Sequence, residues 1–596
     1  MLNVISNEKK ILIDVINSNV ACINVFAPSN QEITKPLNNL YVSLSYFDEK
    51  EKYSWKYKAG MSDGKVYLFD RISQTFALGL TAKVHKILKA SCPDFKIELS
   101  KEIYKVFSPP GGKVPAEQFD EFVKSLNLYN NTYNEEIVPR DYQLKMFYDS
   151  INTRKCSLQA ATSSGKSLSI YLITRWLYEK ENKDVLIVVP SMALVEQIYL
   201  DFKNDYNWKD IEQHVSKIHS EVEELKLTKK KKEALIALEM TKDDLLKRIV
   251  ITTWQSLLNK EPKFFERFGA VIVDEAHGSK SFSLQTILHH CKNATLKVGL
   301  SGTIPESGLD GALIEGALGD KKLIIKSKEL IDLGLSTPVQ IYSIIIPYTD
   351  AAKKTVHKFD FAGQVALCGY NGSKSEVLKL LIESGKITKQ ENSIILFKYL
   401  NTLKLTHDFI KSQFLEFKCI IYNGSVSAEK REEIRKLLES DDGYLVFATY
   451  GTMKQGINIK RVHNLVLAES SKSLITVIQS IGRLLRKFPG KTLAKIFDIV
   501  DDCSYWTRPR KGNSPTVILN YAMQHYEKRK EYYSFEEFPL TQIIAPMIAN
   551  VDVDMTNALK GTKIVDKETK RELEKDVIED LKNRKSHANF FDDGVF

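Results

Sequence analysis

From about residue 135 onward, short apolar runs alternate with amphipathic stretches. Val185–Val189, Ile249–Thr252, Ala270–Val273 and Lys297–Leu300 are rich in Val and Ile and are separated by helix-like segments. Runs of this kind predict strands of a parallel sheet covered on both faces. The pattern restarts after Thr337 with Ser393–Phe397, Cys419–Tyr422, Tyr444–Ala448, Asn464–Ala468 and Ala494–Asp498. Two similar α/β lobes in tandem are therefore predicted, joined near 326–345. Ahead of them, strand-like pieces at Lys10–Ile16, Ala21–Phe26, Leu40–Tyr46, Lys65–Phe69 and Phe95–Leu99, with one helix at Gly79–Ala90, predict a small α+β domain. Beyond about 526 the chain turns to charged helix, notably Asp566–Lys585, and a polar tail. The expected organisation is a small α+β domain at 1–112, a first lobe at 113–325, a second at 326–525 and a helical C-terminal extension at 526–596.

Length agrees with several cores, since 596 residues predict about three or four domains. The balance of 85 Lys and Arg against 75 Asp and Glu gives +10, which permits a polyanionic partner without requiring one. Residues 1–115 hold 16 basic against 11 acidic side chains and thirteen aromatics. The block Lys229–Lys232, within a helical insertion at 220–247, reads either as a solvated helix face or as an element touching phosphates. Seven scattered cysteines without a CxxC pair argue for reduced thiols and against a zinc site or a disulfide scaffold. Neither a signal peptide nor an apolar run of transmembrane length is expected. The reading is a soluble protein of the cytoplasm.

Three segments carry chemistry. Ala160-Ala161-Thr162-Ser163-Ser164-Gly165-Lys166-Ser167 follows an apolar piece and precedes the apolar helix Leu168–Leu177. Such a loop aims backbone N–H groups and a helix N-terminus at phosphate. Lys166 is expected on the β- and γ-phosphates, and Ser167 on a magnesium ion. Ala160 stands where the strict pattern has glycine. The second segment, Val271-Ile272-Val273-Asp274-Glu275-Ala276-His277, lies about a hundred residues downstream of Lys166. Paired carboxylates at the end of an apolar strand are costly unless a cation meets them. Asp274 fits a magnesium ligand and Glu275 the base that orients the attacking water. The third is Gln479-Ser480-Ile481-Gly482-Arg483-Leu484-Leu485-Arg486. Arg483 and Arg486, three apart, are expected on one helix face, supplying guanidiniums to the γ-phosphate charge.

In this order the three segments resemble motifs I, II and VI of the superfamily-two helicases, and the resemblance covers about 135–505. It implies two tandem RecA-like lobes and extends to further positions. Arg140 and Gln143, in Pro139-Arg140-Asp141-Tyr142-Gln143, resemble the element whose Gln reads the adenine edge. Thr162, Ser163, Ser164, Gly165 and Gly456 join the nucleotide site, and Gln479 joins the catalytic set. Pro190 and Ser191 resemble motif Ia; Thr253, Trp254 and Gln255 motif Ib; Lys398 motif IV; Thr449, with Gln455-Gly456-Ile457-Asn458, motif V. These imply nucleic-acid contacts. Ser301 and Thr303 resemble motif III and, with His277, imply coupling of hydrolysis to the track. The N-terminal stretches Lys56-Tyr57-Lys58 and Asp63-Gly64-Lys65-Val66-Tyr67-Leu68 are similar to those of phage recombination-repair DNA helicases. That likeness implies a nucleic-acid-binding domain at 1–112.

The implied activity is an ATP- and magnesium-dependent helicase or translocase. It would open forks, D-loops, R-loops or four-way junctions in recombination, repair and replication control, inside a phage-infected bacterium. Expected partners are branched or duplex DNA, RNA–DNA hybrids, and single-strand-binding or recombination proteins; the expected state is a monomer away from membranes. An RNA helicase, the translocating subunit of a restriction complex, and an annealing or scaffold protein stay open as alternatives.

Overall fold

The computed structural model describes residues 4–51, 54–131, 134–218, 246–305, 307–454, 459–507 and 516–545. Gly456, the Lys229–Lys232 block and the Asp566–Lys585 segment lie outside the described residues. The chain divides into two compact units, Met1–Ile325 and Lys326–Phe596.

Each unit is built on a seven-stranded parallel sheet. In the first, the strands in chain order are Lys155–Ala160, Val185–Val189, Val215–Ile218, Ile249–Thr253, Ala270–Asp274, Leu296–Ser301 and Lys321–Ile325. In the second they are Val339–Pro347, Ser393–Phe397, Lys418–Tyr422, Tyr444–Thr449, Asn464–Leu467, Ala494–Asp502 and Leu540–Ile544. Across both sheets the order is identical: third, fourth, second, fifth, sixth, first, seventh. All neighbouring pairs are parallel. The central strands are buried along their whole length in each lobe, which is why they read as unbroken apolar runs. Among the described residues no helix is long and apolar enough to cross a membrane.

The second sheet continues past the expected boundary at 525. Helix Tyr521–Phe535 lies on it, and Leu540–Ile544 pairs with Val339–Pro347 as its edge strand. A buried ion pair fixes the helix: Arg529 grips both Asp498 oxygens at 2.8 Å, and the Tyr533 hydroxyl donates to the same carboxylate at 2.9 Å. The segment from 521 to 545 is thus part of the lobe rather than a separate helical extension.

The N-terminal region forms its own sheet, in which Lys10–Val15 pairs with Val20–Ala27 and Lys96–Leu99. The expected strand at Leu40–Tyr46 is instead mostly helix, Asn30–Ser43, followed by a short strand Ser45–Phe47. Ser29 caps the helix by accepting from the Glu32 N–H, and Ile33, Leu37 and Leu40 fall on one buried face. This small domain and the first lobe form one unit. Helix Gly308–Leu318 crosses the segment Leu78–Leu80 so closely that a Cβ on Gly79 would lie 2.1 Å from the Glu315 carbonyl oxygen. Lys155 and Lys297, at the amino ends of adjacent strands, are buried and reach the Ser18–Asn19 turn. The Lys155 Nζ donates to the Ser18 carbonyl at 2.9 Å, and the Lys297 Nζ to Asn19 Oδ1 and, at 2.6 Å, to the Leu288 carbonyl. Burial pushes both amines below the usual lysine range, Lys297 to about 8.

Candidate functional site

Parallel strands bring their carboxyl ends to one edge, where ligands of such sheets bind. In the first lobe the ends of the first, fifth and sixth strands carry Ala161–Ser167, Asp274–Glu275 and Ser301–Thr303. The loop is a tight one: Ser163 and Gly165 have φ of +71° and +80°. At Gly165 a Cβ would meet the Gln143 amide nitrogen at 2.2 Å, so only glycine fits. Helix Lys166–Glu179 starts immediately after, and its first N–H groups point at the space above the loop. The Lys166 Nζ donates to the Ala160 and Ala161 carbonyls at 3.3 and 3.5 Å, lying over the loop.

Gln143 is buried and fully used. Its oxygen accepts from the Arg140 N–H at 2.9 Å, and its amide donates to the Ser164 carbonyl at 3.0 Å. It braces the loop, and adenine recognition through the same amide would require these bonds to be exchanged. The Arg140 guanidinium donates to the Tyr142 hydroxyl at 3.3 Å.

Asp274 and Glu275 face different surroundings. One Asp274 oxygen, Oδ1, is buried and has no hydrogen-bond partner among the described residues. Burial and the neighbouring Glu275 charge push its carboxyl up to about 6. Burial also opposes the Glu275 charge, but the His277 contact, Lys166 and Ser301 outweigh it and hold that carboxyl down, at about 2. His277 Nδ1 lies 3.3 Å from Glu275 Oε2 and 3.1 Å from Ser301 Oγ. Ser301 Oγ in turn contacts Glu275 Oε2 at 3.2 Å, donates to the Thr303 carbonyl at 2.9 Å and receives the Thr303 N–H at 3.2 Å. Glu275, His277, Ser301 and Thr303 therefore form one connected group. A Cβ on Gly302 would lie 3.1 Å from Thr162 Oγ1, so this group also abuts the loop.

The orphaned Asp274 oxygen fits a cation, since a buried carboxylate oxygen without a donor is costly. Among the described residues no group of three or more His, Cys, Asp or Glu could enclose a metal unaided. That suits magnesium, which keeps water and substrate phosphates as ligands. Ser167 Oγ is 2.7 Å from the Tyr206 hydroxyl, whose proton is held firmly by burial. Sequence reasoning missed Tyr206. Its only trace was the aromatic spacing Tyr199, Phe202, Tyr206, Trp208.

The ends of the second and fourth strands carry a different set. In the first lobe Val189 pairs with Thr253, which brings Pro190 and Ser191 beside Thr253, Trp254 and Gln255. Thr253 is buried and caps a short helix by accepting from the Ser256 N–H at 3.3 Å, whereas Pro190 and Gln255 are exposed. In the second lobe Phe397 pairs with Thr449, so exposed Lys398 stands beside Thr449 in the corresponding place. Glu469, also missed, is 1% exposed and accepts from the Lys398 and Tyr399 N–H groups at 2.7 and 3.0 Å.

Helix Leu474–Leu484 presents Gln479 and Arg483, four apart, on one face. Arg486 is not on that helix, contrary to the spacing argument. The helix stops at Leu484, and the chain continues through Leu485 to a turn at Pro489-Gly490. Its carbonyl end is closed by buried Lys491, whose Nζ donates to the Leu484 carbonyl and, at 3.2 Å, to the Arg486 carbonyl. Arg483 and Arg486 are both half-buried.

Two family models match parts of the chain. Residues 136–306 match the family described as "Type III restriction enzyme, res subunit", and 373–487 match "Helicase conserved C-terminal domain". The chain is 28% identical over 505 residues to the ATP-dependent DNA helicase uvsW of Enterobacteria phage T4, covering 83% of this chain and 93% of that protein. It is 24% identical over 244 residues to a Y' element ATP-dependent helicase of Saccharomyces cerevisiae, covering 40% of this chain and 16% of that one. Among solved structures, the crystal structure of T4 UvsW aligns at 24% identity and a TM-score of 0.44, covering 90% of this chain and all of that one. A fragment of an HsdR subunit of a type I restriction enzyme from Vibrio vulnificus aligns at 14% identity and 0.48, covering 72% and 74%.

Proposed function

We propose that this chain is an ATP-dependent helicase of superfamily two that moves along and opens branched or duplex DNA at forks, D-loops, R-loops and four-way junctions. The choice of DNA is supported by the phage relative, itself named a DNA helicase, which aligns over nearly all of its length. Recombination, repair and replication control in a bacterial cytoplasm are the corresponding setting. The reading of the motor rests on one observation above all, the unpartnered buried oxygen of Asp274 beside the phosphate loop.

In this reading Ala161–Ser167 cradles the triphosphate, Lys166 turns from the loop carbonyls to the β- and γ-phosphates, and Ser167 with Asp274 holds magnesium. When bound, the ion offsets phosphate charge. Glu275 stays ionised and orients the attacking water. His277, Ser301 and Thr303 hold Glu275 and carry its state toward the nucleic-acid contacts. Arg483 and Arg486, with Gln479, are assigned to the charge developing on the γ-phosphate, and Gly456 to the nucleotide. Pro190, Ser191, Thr253, Trp254, Gln255, Lys398 and Thr449 are assigned to the backbone of the track. Backbone contact implies weak sequence preference and steep salt dependence. Residues 1–112 are proposed to bind nucleic acid too, supported by exposed Trp55 followed by exposed Lys56 and Lys58.

A second reading, the translocating subunit of a restriction-type complex, is favoured by the description of the family matched at 136–306. The deciding experiment measures ATP turnover and strand separation with single-stranded, duplex, junction and RNA substrates at fixed salt. Junction DNA should stimulate turnover most and be unwound, and Lys166→Ala should abolish both while keeping DNA affinity. Stimulation by RNA alone overturns the DNA assignment; stimulation by duplex without strand separation selects the restriction-type translocase.

A further inference from the structure

The ends of the first and sixth strands hold the phosphate loop and Ser301 in the first lobe. In the second lobe the same two ends, after Val339–Pro347 and Ala494–Asp502, border a cavity of about 790 Å³. No glycine-rich loop follows the first strand here. Tyr348-Thr349-Asp350 does, and the Tyr348 hydroxyl donates to buried Asp501 at 2.8 Å. The cavity is instead open and aromatic.

Its outer wall is a two-stranded antiparallel ribbon, Tyr505–Trp506 with Val517–Ile518. Trp506 is 68% exposed. Among the described residues this large aromatic is held out on the ribbon beside the cavity, where its face is open to a ligand. Tyr505 meets His357 edge-on, ring centroids 4.6 Å apart. His357 is fixed by its Nε2–H, which donates to the Cys503 carbonyl at 2.9 Å. Lys353 and Lys354 line the same cavity and form no ion pair among the described residues. The acids on its wall are Asp350 and Asp502, the latter turned onto the Ser504 N–H at 2.9 Å.

An exposed indole beside unpaired ammonium groups is the chemistry that takes a base on its face and a phosphate at its side. We propose that this cavity is a stacking site for an unpaired base of a single-stranded nucleic acid, with Trp506 as the platform and Lys353 and Lys354 on the flanking phosphates. The proposal rests on the nucleic-acid motor reading above and adds a contact outside its motifs. The site shares the carboxyl edge of the sheet with Lys398 and Thr449. Second and first strands are three strand spacings apart in the sheet order, or about 14 Å, within reach of a bound strand of about 4–16 nucleotides.

The test uses the full chain and a fluorescein-labelled oligothymidylate, without ATP, at fixed salt. Trp506→Ala should weaken binding about five- to hundredfold, Trp506→Phe should recover most of it, and blunt duplex affinity should change by less than about twofold. Replacing Lys353 and Lys354 with Ala should flatten the salt dependence of single-strand binding by up to about two units of log–log slope. Unchanged single-strand affinity in Trp506→Ala overturns the site and leaves the motor reading standing. Equal losses for Ala and Phe, or competition by millimolar AMP, also overturn it, the first as structural damage and the second as a mononucleotide pocket. If the unaltered chain binds no nucleic acid at all, the motor reading falls and this site with it.

Discussion

The two lobes share one strand order and differ in what their buried carboxylates do. In the first lobe, Asp274 keeps an oxygen with no partner among the described residues, and Glu275 is held charged by His277 and Ser301. In the second, the buried carboxylates hold the scaffold. Asp498 is gripped by Arg529 and Tyr533, Asp501 takes Lys374 and Tyr348, and Glu469 accepts two backbone N–H groups on one oxygen, while its buried Oε1 has no hydrogen-bond partner among the described residues. The register sharpens the contrast. Ala270 and Asn464 each pair with the first residue of the second strand in their sheet, so Glu469 occupies the position of Glu275. One fold therefore gives the same acidic position different partners in its two lobes. Side chains, His277 and Ser301, meet Glu275, whereas backbone N–H groups of the Lys398–Tyr399 loop meet Glu469.

The contrast can be broken by substitution. The largest effect is expected from Arg483→Ala, or Arg486→Ala, which should lower ATP turnover about 10³- to 10⁵-fold while ATP still binds; steady-state and binding assays on the same preparation check this. If turnover is unchanged, the second lobe supplies no charge to the reaction. Next comes Asp498→Ala, which strands a buried guanidinium and should cost about 3–5 kcal/mol of stability, read by chemical unfolding. Asp274→Asn should leave unfolding almost unchanged while abolishing turnover, since Oδ1 has no hydrogen-bond partner among the described residues and the amide keeps an acceptor for the Glu275 backbone. Equal destabilisation by the two would erase the distinction between lobes.

The smallest effect is a pH dependence. Asp274 has a raised carboxyl, so its neutral form persists up to about 6. Without a cation, the stability its protonation supplies is present below the unfolded value, about 4, and is lost as pH rises through about 6. Glu275 has the opposite sign: its contribution is present above about 4.5 and disappears as pH falls toward about 2. Magnesium–ATP affinity should accordingly weaken as pH drops below about 6, with excess magnesium restoring it, and calorimetric titration at pH 5 and 7.5 checks this. Affinity that strengthens on acidification would remove Asp274 from the cation site.

Much of this arrangement is legible in the sequence because buried parallel strands appear as uninterrupted Val and Ile runs ending in their functional residues. Ala270–Asp274 followed by Glu275 is the plainest case. Leu540–Ile544 escaped because it is an edge strand with every residue exposed, so no burial pattern marks it. Helix Asn30–Ser43 escaped because Pro36 and the β-favouring Tyr41 and Val42 hide its spacing. Lys155 and Lys297 interrupt apolar runs and look like surface residues, yet both are buried against the Ser18–Asn19 turn. Arg486 was misplaced because three-residue spacing speaks for a shared face only while the helix lasts.

Glu275→Gln gives the most direct measurement, with ATP binding and single-turnover hydrolysis followed together in the presence of junction DNA. ATP affinity near that of the unaltered chain, with hydrolysis slowed about 10²- to 10⁴-fold, is the expected result. Hydrolysis at an undiminished rate would mean that the carboxylate held by His277 and Ser301 is not the group that prepares the water.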